Sequence, residues 1–129
     1  MPLVRKQYPD IAPAGPTYNR AVIAGNTMYI SGCTARGTDS QGKSMMEQLD
    51  VTLGRLVAVA AAEGAGPGSF AKLTVFVTSI DDYKLDTPQM ESLFSKHFEN
   101  QYPANSLIEI SALAEPGLDV EIEAVVILE

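Results

Sequence analysis

VEIEAVVIL, residues 120–128, is the segment that constrains the fold of this chain most strongly. Its first half alternates apolar side chains with Glu121 and Glu123, which is the two-residue period of a strand with one buried face. Val125 and Ile127 then make the second face apolar as well. Because one layer of helices covers only one face of a sheet, we expect a partner subunit to cover the other.

Turn and capping signals divide the rest of the chain into further strands and helices. The Gly-Asn pair at 25–26 tolerates positive φ angles, which favours a two-residue hairpin turn. Ser44 and Glu47 match a capping box at the start of a helix. Thr87 is predicted to cap a second helix, because Pro88 suits its first position. In chain order, the predicted elements are a short strand near 3–7, strands at 21–25 and 27–32, a helix from Ser44 to Gly64, a strand at 72–80, a helix from Thr87, and strands at 106–111 and 120–128.

The order of these elements predicts an α+β fold. Both helices carry a single apolar stripe, so they fit one layer on one face of a mixed sheet. No linker, repeat or low-complexity segment interrupts the sequence. We therefore expect residues 1–129 to form a single domain.

Composition narrows the classes of function. The 129 residues are 46% hydrophobic and carry a formal net charge of −7. Proteins that bind the nucleic-acid backbone usually present a basic stripe, so nucleic acid is not expected as a partner. With Cys33 as the only cysteine and His97 as the only histidine, the chain has no internal disulfide, and we expect no metal site.

The sequence also lacks the signals of membrane insertion and export. No apolar run approaches the roughly 18 residues that span a bilayer. The N-terminal segment MPLVRKQYPDIAPAGP has no apolar core of a secretory signal. We therefore expect no membrane partner and a cytoplasmic location.

Six segments spread over nearly the whole chain form a specific pattern when they are taken together. They are GPTYNRAV (15–22), MYISG (28–32), Gln48 in the first helix, KLTVFVTSIDDY (72–83), YPANSLIEI (102–110) and VEIEAV (120–125). In this order they resemble the Rid/YjgF family, whose members include enamine and imine deaminases. The resemblance implies a chorismate-mutase-like α+β fold and a homotrimer with three clefts between subunits. It also implies that a small reactive 2-enamine or 2-imine acid is hydrolysed to a 2-keto acid and ammonia, with no cofactor.

Asn105 is where this chain departs from the family pattern. In active members, an arginine at this position binds the substrate carboxylate through a bidentate pair. Asparagine offers neutral donors and an acceptor in place of a charged fork. The resemblance therefore implies an altered substrate preference, with a neutral substrate better suited than a carboxylate unless Arg20 or Arg36 supplies the charge. From the strand pattern alone, Asn105 is more typical of a side chain that bonds the turn backbone than of a ligand-binding residue.

The resemblance assigns roles to four further residues. Glu121 matches a glutamate that helps to position the attacking water, and Tyr18 matches a tyrosine that lines the cleft, with Thr17 as a one-residue insertion before it. A cleft-lining asparagine of the second helix falls near Asp86 or Thr87, and Cys33 ends a strand close to the cleft. Without the resemblance, Glu121 is a solvent-facing strand residue and Cys33 a small buried hydrophobe.

Two hypotheses of function follow. The first is a Rid-type hydrolase acting on an imine, an enamine or a related labile small molecule. The second is a protein that binds a small metabolite in the same clefts without turning it over, which the missing arginine favours.

Overall fold

The computed structural model describes residues 2–129, which form one six-stranded sheet and three helices. The strands are β1 (Leu3–Lys6), β2 (Ala21–Ala24), β3 (Thr27–Cys33), β4 (Phe70–Val77), β5 (Ala104–Glu109) and β6 (Val120–Ile127), and the helices are α1 (Met45–Ala62), α2 (Ile80–Tyr83) and α3 (Thr87–Phe98). The predicted α+β order is confirmed, including the short first strand. Within the described range, no helix combines the length and the apolar character that crossing a membrane requires.

The last strand of the chain lies inside the sheet. The strand order is β1-β2-β3-β6-β4-β5, and β6 pairs antiparallel with both β3 and β4. Only β4 and β5 pair in parallel, because α2 and α3 form the crossover that brings the chain back in the same direction. The central pairing of the sheet is therefore complete only when β6 has entered it.

One face of the sheet packs against the two long helices, α1 and α3. Leu49, Leu53 and Leu56 of α1 are fully buried, as are Ile122 and Val126 of β6. Burial of each such side chain contributes about 1.5–3 kcal/mol relative to exposure. This layer confirms the prediction of two helices on one face, to which the single turn of α2 is added.

The opposite face of the sheet, which we call the open face, is uncovered in the single chain. Tyr29 of β3 is 52% exposed, and Ile108 of β5 and Ile127 of β6 are exposed as well. Between them, Val125 is only half-buried. The second apolar face predicted from residues 120–128 is thus present, and its cover by a partner subunit stays a prediction.

The starts of the helices agree in part with the sequence prediction. Ser44 caps α1: its hydroxyl accepts a hydrogen bond from the backbone N–H of Glu47 at 3.2 Å and donates to the Glu47 carboxylate at 3.0 Å. The prediction that Thr87 caps the second helix was wrong. Asp86 is the cap, and its carboxylate accepts from the backbone N–H of Gln89 at 3.1 Å. An ionised carboxylate is the stronger acceptor, so Thr87 becomes the first helical residue.

The strand predicted at 72–80 is displaced towards the N-terminus and ends at Val77. The cause is Ser79, whose hydroxyl accepts from the backbone N–H of Asp82 at 3.1 Å and so starts α2. The acidic pair 81–82 lies in the first turn of this helix. Acidic side chains are favourable there because they oppose the positive end of the helix dipole.

A buried side-chain amide joins α1 to the start of β6. Gln48 donates through Nε2 to the Lys43 carbonyl at 3.0 Å and to the Asp119 carboxylate at 3.1 Å. Its Oε1 accepts from the backbone N–H of Asp119 at 2.8 Å. Asp119 also accepts from the Thr78 hydroxyl at 2.9 Å, so each of these buried or half-buried groups has a partner.

Gln48→Leu should lower the free energy of unfolding by about 2–3 kcal/mol, because three hydrogen bonds of a fully buried amide are lost and the part-buried Asp119 N–H and Lys43 carbonyl lose their partner. Thr52→Val is the matched control. The buried Thr52 hydroxyl donates only to the backbone carbonyl of Gln48, at 2.7 Å, so its loss should be about 1 kcal/mol or less. Urea denaturation measures both values, and equal losses would contradict the role given to Gln48.

Candidate functional site

A cavity of about 340 Å³ lies where β3 and β6 meet the segment that precedes β2. We call it the Tyr18 cavity. Four residues predicted for the site lie in its wall, namely Tyr18, Arg20, Cys33 and Glu121. The pairing of β3 with β6 brings the last strand of the chain next to β3 at this point.

The side chain of Glu121 lies against a bulge in β3. Between Ile30 and Cys33, β3 contains one residue more than the facing stretch of β6. Gly32 lies in this bulge, and a Cβ atom at its position would overlap the Glu121 carboxylate. The close approach therefore requires glycine, and the bulge sets where the carboxylate can lie.

The environment of Glu121 favours the protonated acid more than water does. Burial raises the pKa of the Glu121 carboxyl group above its usual value. The positive charge of Arg20 opposes this rise, and the negative charge of Glu123 adds to it. The net shift is upward, which brings the pKa of this carboxylate closer to the pH at which a general base works best.

Arg20 is the most deeply buried cation of the site, with 3% of its surface exposed. Its Nε donates to the Ala12 carbonyl at 2.9 Å, and its Nη2 donates to the Pro13 carbonyl at 3.0 Å. Its Nη1 donates to the carbonyls of Ser31 at 3.2 Å and Gly32 at 2.8 Å. The guanidinium thus joins the N-terminal segment to the bulge, and these backbone bonds leave it no free fork for a ligand.

Tyr18 and Cys33 flank this guanidinium. The Arg20 guanidinium carbon lies 5.5 Å from the centre of the Tyr18 ring, within the range of a cation–π contact. Tyr18 therefore lines the cavity despite the insertion of Thr17 before it. Cys33 is buried, and burial raises the pKa of its thiol in spite of the opposing charges of Arg20 and Arg55. Its protonated thiol is suited to packing rather than to nucleophilic attack.

Asn105 lies in a different cavity, of about 600 Å³, between β5 and α3. Its wall includes Leu107 of the same strand and Phe94 of α3. Asn105 is the second residue of β5, because the strand begins at Ala104. Asn105 therefore lies inside the strand and not in a turn before the strand predicted at 106–111. The side chain is exposed at the rim of this larger, more apolar cavity.

Asn105 and Glu121 point to opposite faces of the sheet. Asn105 pairs with Leu73, which is fully buried beneath the helices. Glu121 pairs with Phe76, on the open face. β4 separates the two strands, and the residues are offset by three positions along it, so their Cα atoms are about 14 Å apart. Within one chain, no small ligand can contact both side chains.

Thr87 lies away from both cavities. It is exposed in the first turn of α3, and its hydroxyl donates to the Lys84 carbonyl at 3.2 Å. The wall of the Tyr18 cavity instead includes Arg36, which the sequence offered as a substitute charge, and Arg55, which sequence reasoning missed. The available signal was that Arg55 is the only charged residue of α1 after Asp50. Among residues 2–129, no cluster of three or more His, Cys, Asp or Glu side chains could hold a metal ion.

Comparison with known proteins establishes the family. The family model described as endoribonuclease L-PSP matches residues 9–128, which is nearly the whole chain. The chain belongs to this family, also called Rid/YjgF, as the sequence resemblance predicted.

Three relatives illustrate the similarity. The chain is 28% identical over 120 residues to a 2-iminobutanoate/2-iminopropanoate deaminase of Dermatophagoides farinae, covering 91% of this chain and 89% of the relative. It is 31% identical over 130 residues to the RutC family protein UK114 of Drosophila melanogaster, covering 95% and 89%. The crystal structure of RidA from an Antarctic Psychrobacter species superposes with a TM-score of 0.77 at 27% identity, covering 92% and 95%.

Glu121→Gln should make the folded protein more stable at pH 7. The folded-state pKa of Glu121 is raised, so folding favours its protonated form and the native state loses stability as the pH rises through that pKa. Below the unfolded-state pKa of about 4.3, this loss is absent. The advantage of the variant should therefore disappear between pH 7 and about pH 4.

Urea unfolding at both pH values measures this difference. Glu99→Gln removes one charge from an exposed position at the end of α3, away from the Tyr18 cavity, so it controls for the change in net charge. A Glu121→Gln variant less stable than wild type at pH 7 would show that Glu121 makes a favourable ionic interaction instead.

Proposed function

We propose that this protein hydrolyses a small imine or enamine to a carbonyl compound and ammonia. The observation that carries the proposal is the half-buried Glu121 carboxylate, held against Gly32 in a cavity that Tyr18 also lines. A carboxylate of raised pKa in a small cavity can hold and deprotonate one water molecule. Membership of the family, and a relative named as an imine deaminase, support this type of reaction.

The proposed reaction adds water across a carbon–nitrogen double bond. Ionised Glu121 accepts a proton from water as the water oxygen bonds to the imine carbon, and the π electron pair moves to nitrogen, which takes up a proton. In the tetrahedral intermediate the amine nitrogen takes up a second proton and leaves as ammonia, and the hydroxyl group loses a proton to Glu121 as the C=O bond forms. Overall, R₂C=NH and H₂O give R₂C=O and NH₃. Nothing is oxidised or reduced, so the reaction needs no redox partner.

We further propose that the site lies between copies of the chain in a homotrimer. Asn105 and Glu121 occupy opposite faces of one sheet, so a ligand that contacts both needs two copies. The open face, with Tyr29, Ile108 and Ile127 exposed, offers an apolar surface for that contact. In this arrangement, Asn105 of one copy supplies neutral hydrogen bonds beside the Tyr18 cavity of the next.

Light scattering at micromolar concentration should return three times the chain mass of 13.8 kDa. Tyr29→Glu should reduce the assembly to monomers, because it places a charge at the centre of the apolar open face. Leu85→Glu is the matched control, since Leu85 is 85% exposed and lies in the short segment between α2 and α3. A monomeric wild type would contradict the proposed assembly.

Wild-type protein should accelerate the release of 2-oxobutanoate and ammonia from 2-iminobutanoate generated in situ, relative to the spontaneous rate. Glu121→Gln should lower kcat by about 10²–10⁴-fold, the usual contribution of a general base. Gly32→Ala should also lower kcat, because the new methyl group displaces the Glu121 carboxylate. Glu99→Gln, which removes one charge from an exposed side chain at the end of α3, is the control and should stay near wild type.

Three outcomes count against the proposal. An inert wild type that is stabilised by 2-oxobutanoate would favour a metabolite-binding protein without turnover. Full activity of Glu121→Gln would remove the assigned base. RNA cleavage abolished by Glu121→Gln would favour the activity in the family's description, which the net charge of −7 opposes.

A further inference from the structure

The Tyr18 cavity concentrates positive charge in an acidic protein. The chain has four arginines and a net charge of −7, yet Arg20, Arg36 and Arg55 all line this one cavity. Two carboxylates, Glu115 and Glu121, share the wall with them. Within the cavity the cations therefore outnumber the anions by three to two.

Arg55 has the least compensated charge of the three. Its Nη1 donates to the Thr34 carbonyl at 2.7 Å, and no carboxylate among residues 2–129 lies within ion-pair distance of it. Burial lowers the pKa of its guanidinium, and the charges of Arg20 and Arg36 lower it further, although the Cys33 thiol opposes this. The folded protein thus holds this cation at an energetic disadvantage that a bound anion would relieve.

Arg36 is held only loosely by its anionic neighbour. Its Nη1 lies 3.7 Å from a carboxylate oxygen of Glu115, and both side chains are about one-third to two-fifths exposed. Its Nη2 donates to the Pro13 carbonyl at 2.8 Å, which fixes the direction of the guanidinium. A ligand carboxylate can replace Glu115 here without leaving a buried charge unpaired.

Thr34, the residue that follows β3, makes a hydrogen bond to each of the two arginines. The backbone N–H of Arg36 donates to the Thr34 hydroxyl at 3.1 Å, and Arg55 binds the Thr34 carbonyl. The guanidinium of Arg55 is therefore held to the residue that follows β3, while that of Arg36 is held by the Pro13 carbonyl. Behind them Arg20, whose donors are occupied by carbonyls, adds positive potential without competing for the ligand.

We propose that Arg36 and Arg55 bind the carboxylate of the substrate, which makes the substrate a small imino or enamino acid despite Asn105. This assignment rests on the proposed function for the rest of the substrate. A volume of about 340 Å³ lies at the small end of the range of about 300–1,000 Å³ for ligand pockets, which suits a few carbon atoms. The carboxylate lies against Arg36 and Arg55, and the imine carbon then faces the water held by Glu121.

Binding of 2-oxobutanoate, the stable product, tests this proposal without turnover. Calorimetry should detect binding to wild type, and Arg55→Gln and Arg36→Gln should each weaken it about 10–100-fold, as expected for a charge-assisted hydrogen bond. Arg5→Gln is the matched control, because Arg5 is the one arginine outside the cavity, and it should leave affinity within about twofold. Wild type should bind the neutral 2-oxobutanamide more weakly than 2-oxobutanoate. The two arginine variants should not distinguish the amide from the acid.

Asn105→Arg separates the two candidate carboxylate sites. If Arg36 and Arg55 bind the carboxylate, this variant should bind 2-oxobutanoate about as tightly as wild type. A tenfold gain in Asn105→Arg, together with unchanged affinity in Arg55→Gln and Arg36→Gln, would overturn the proposal. No binding to wild type, or equally tight binding of inorganic phosphate, would also overturn it. Melting temperatures without ligand confirm that each variant is folded. If one of the two arginine variants does not fold, the binding test uses the other.

These results are distinguishable from failure of the proposed function. Arginine-dependent binding of 2-oxobutanoate with no hydrolysis of 2-iminobutanoate would sustain the carboxylate site and remove the hydrolase. Hydrolysis that requires Glu121 but is unchanged in the Arg36 and Arg55 variants would sustain the hydrolase and remove the carboxylate site.

Discussion

The pairing of β6 between β3 and β4 is the interaction on which the rest of the structure depends. It joins the antiparallel strands β1, β2 and β3 to the parallel pair of β4 and β5, and it buries Ile122 and Val126 beneath α1. The same pairing produces the bulge of β3 at Gly32 and presses Glu121 against it. A single strand thus contributes side chains to the core, sets the register of β3 at the bulge and carries the carboxylate of the site. The site can therefore form only when β6 has paired in the sheet.

The charge of the site depends on Arg20, a buried cation that forms no ion pair with a carboxylate among residues 2–129. Arg20 is stabilised by backbone carbonyls, whose dipoles compensate a buried charge without neutralising it. Its positive potential moderates the pKa of Glu121 and lowers that of Arg55. A chain with a net charge of −7 can in this way present a locally positive cavity, because a low-dielectric wall keeps the guanidinium groups from being screened.

The two faces of the sheet divide the predicted site. Tyr18, Arg20, Cys33 and Glu121 come together in one cavity, whereas Asn105 lies in another beneath α3 and Thr87 lies in neither. Adjacent side chains of a strand alternate between faces, so whether two distant residues share a face depends on the register of every strand between them. Here β4 stands between β5 and β6, and its register sets Asn105 and Glu121 apart.

The sequence by itself determined the elements, their order, the α+β class and the family, because these depend on local periodicity, capping and ordered motifs that a single chain displays. It failed locally at Thr87, where a carboxylate one residue earlier is the better cap. Only the tertiary structure decided which residues meet: the burial of Arg20, the approach of Glu121 to Gly32, and the addition of Arg55 to the cavity. These contacts result from strand register and helix packing between residues far apart in the sequence, and no local pattern of residues encodes them.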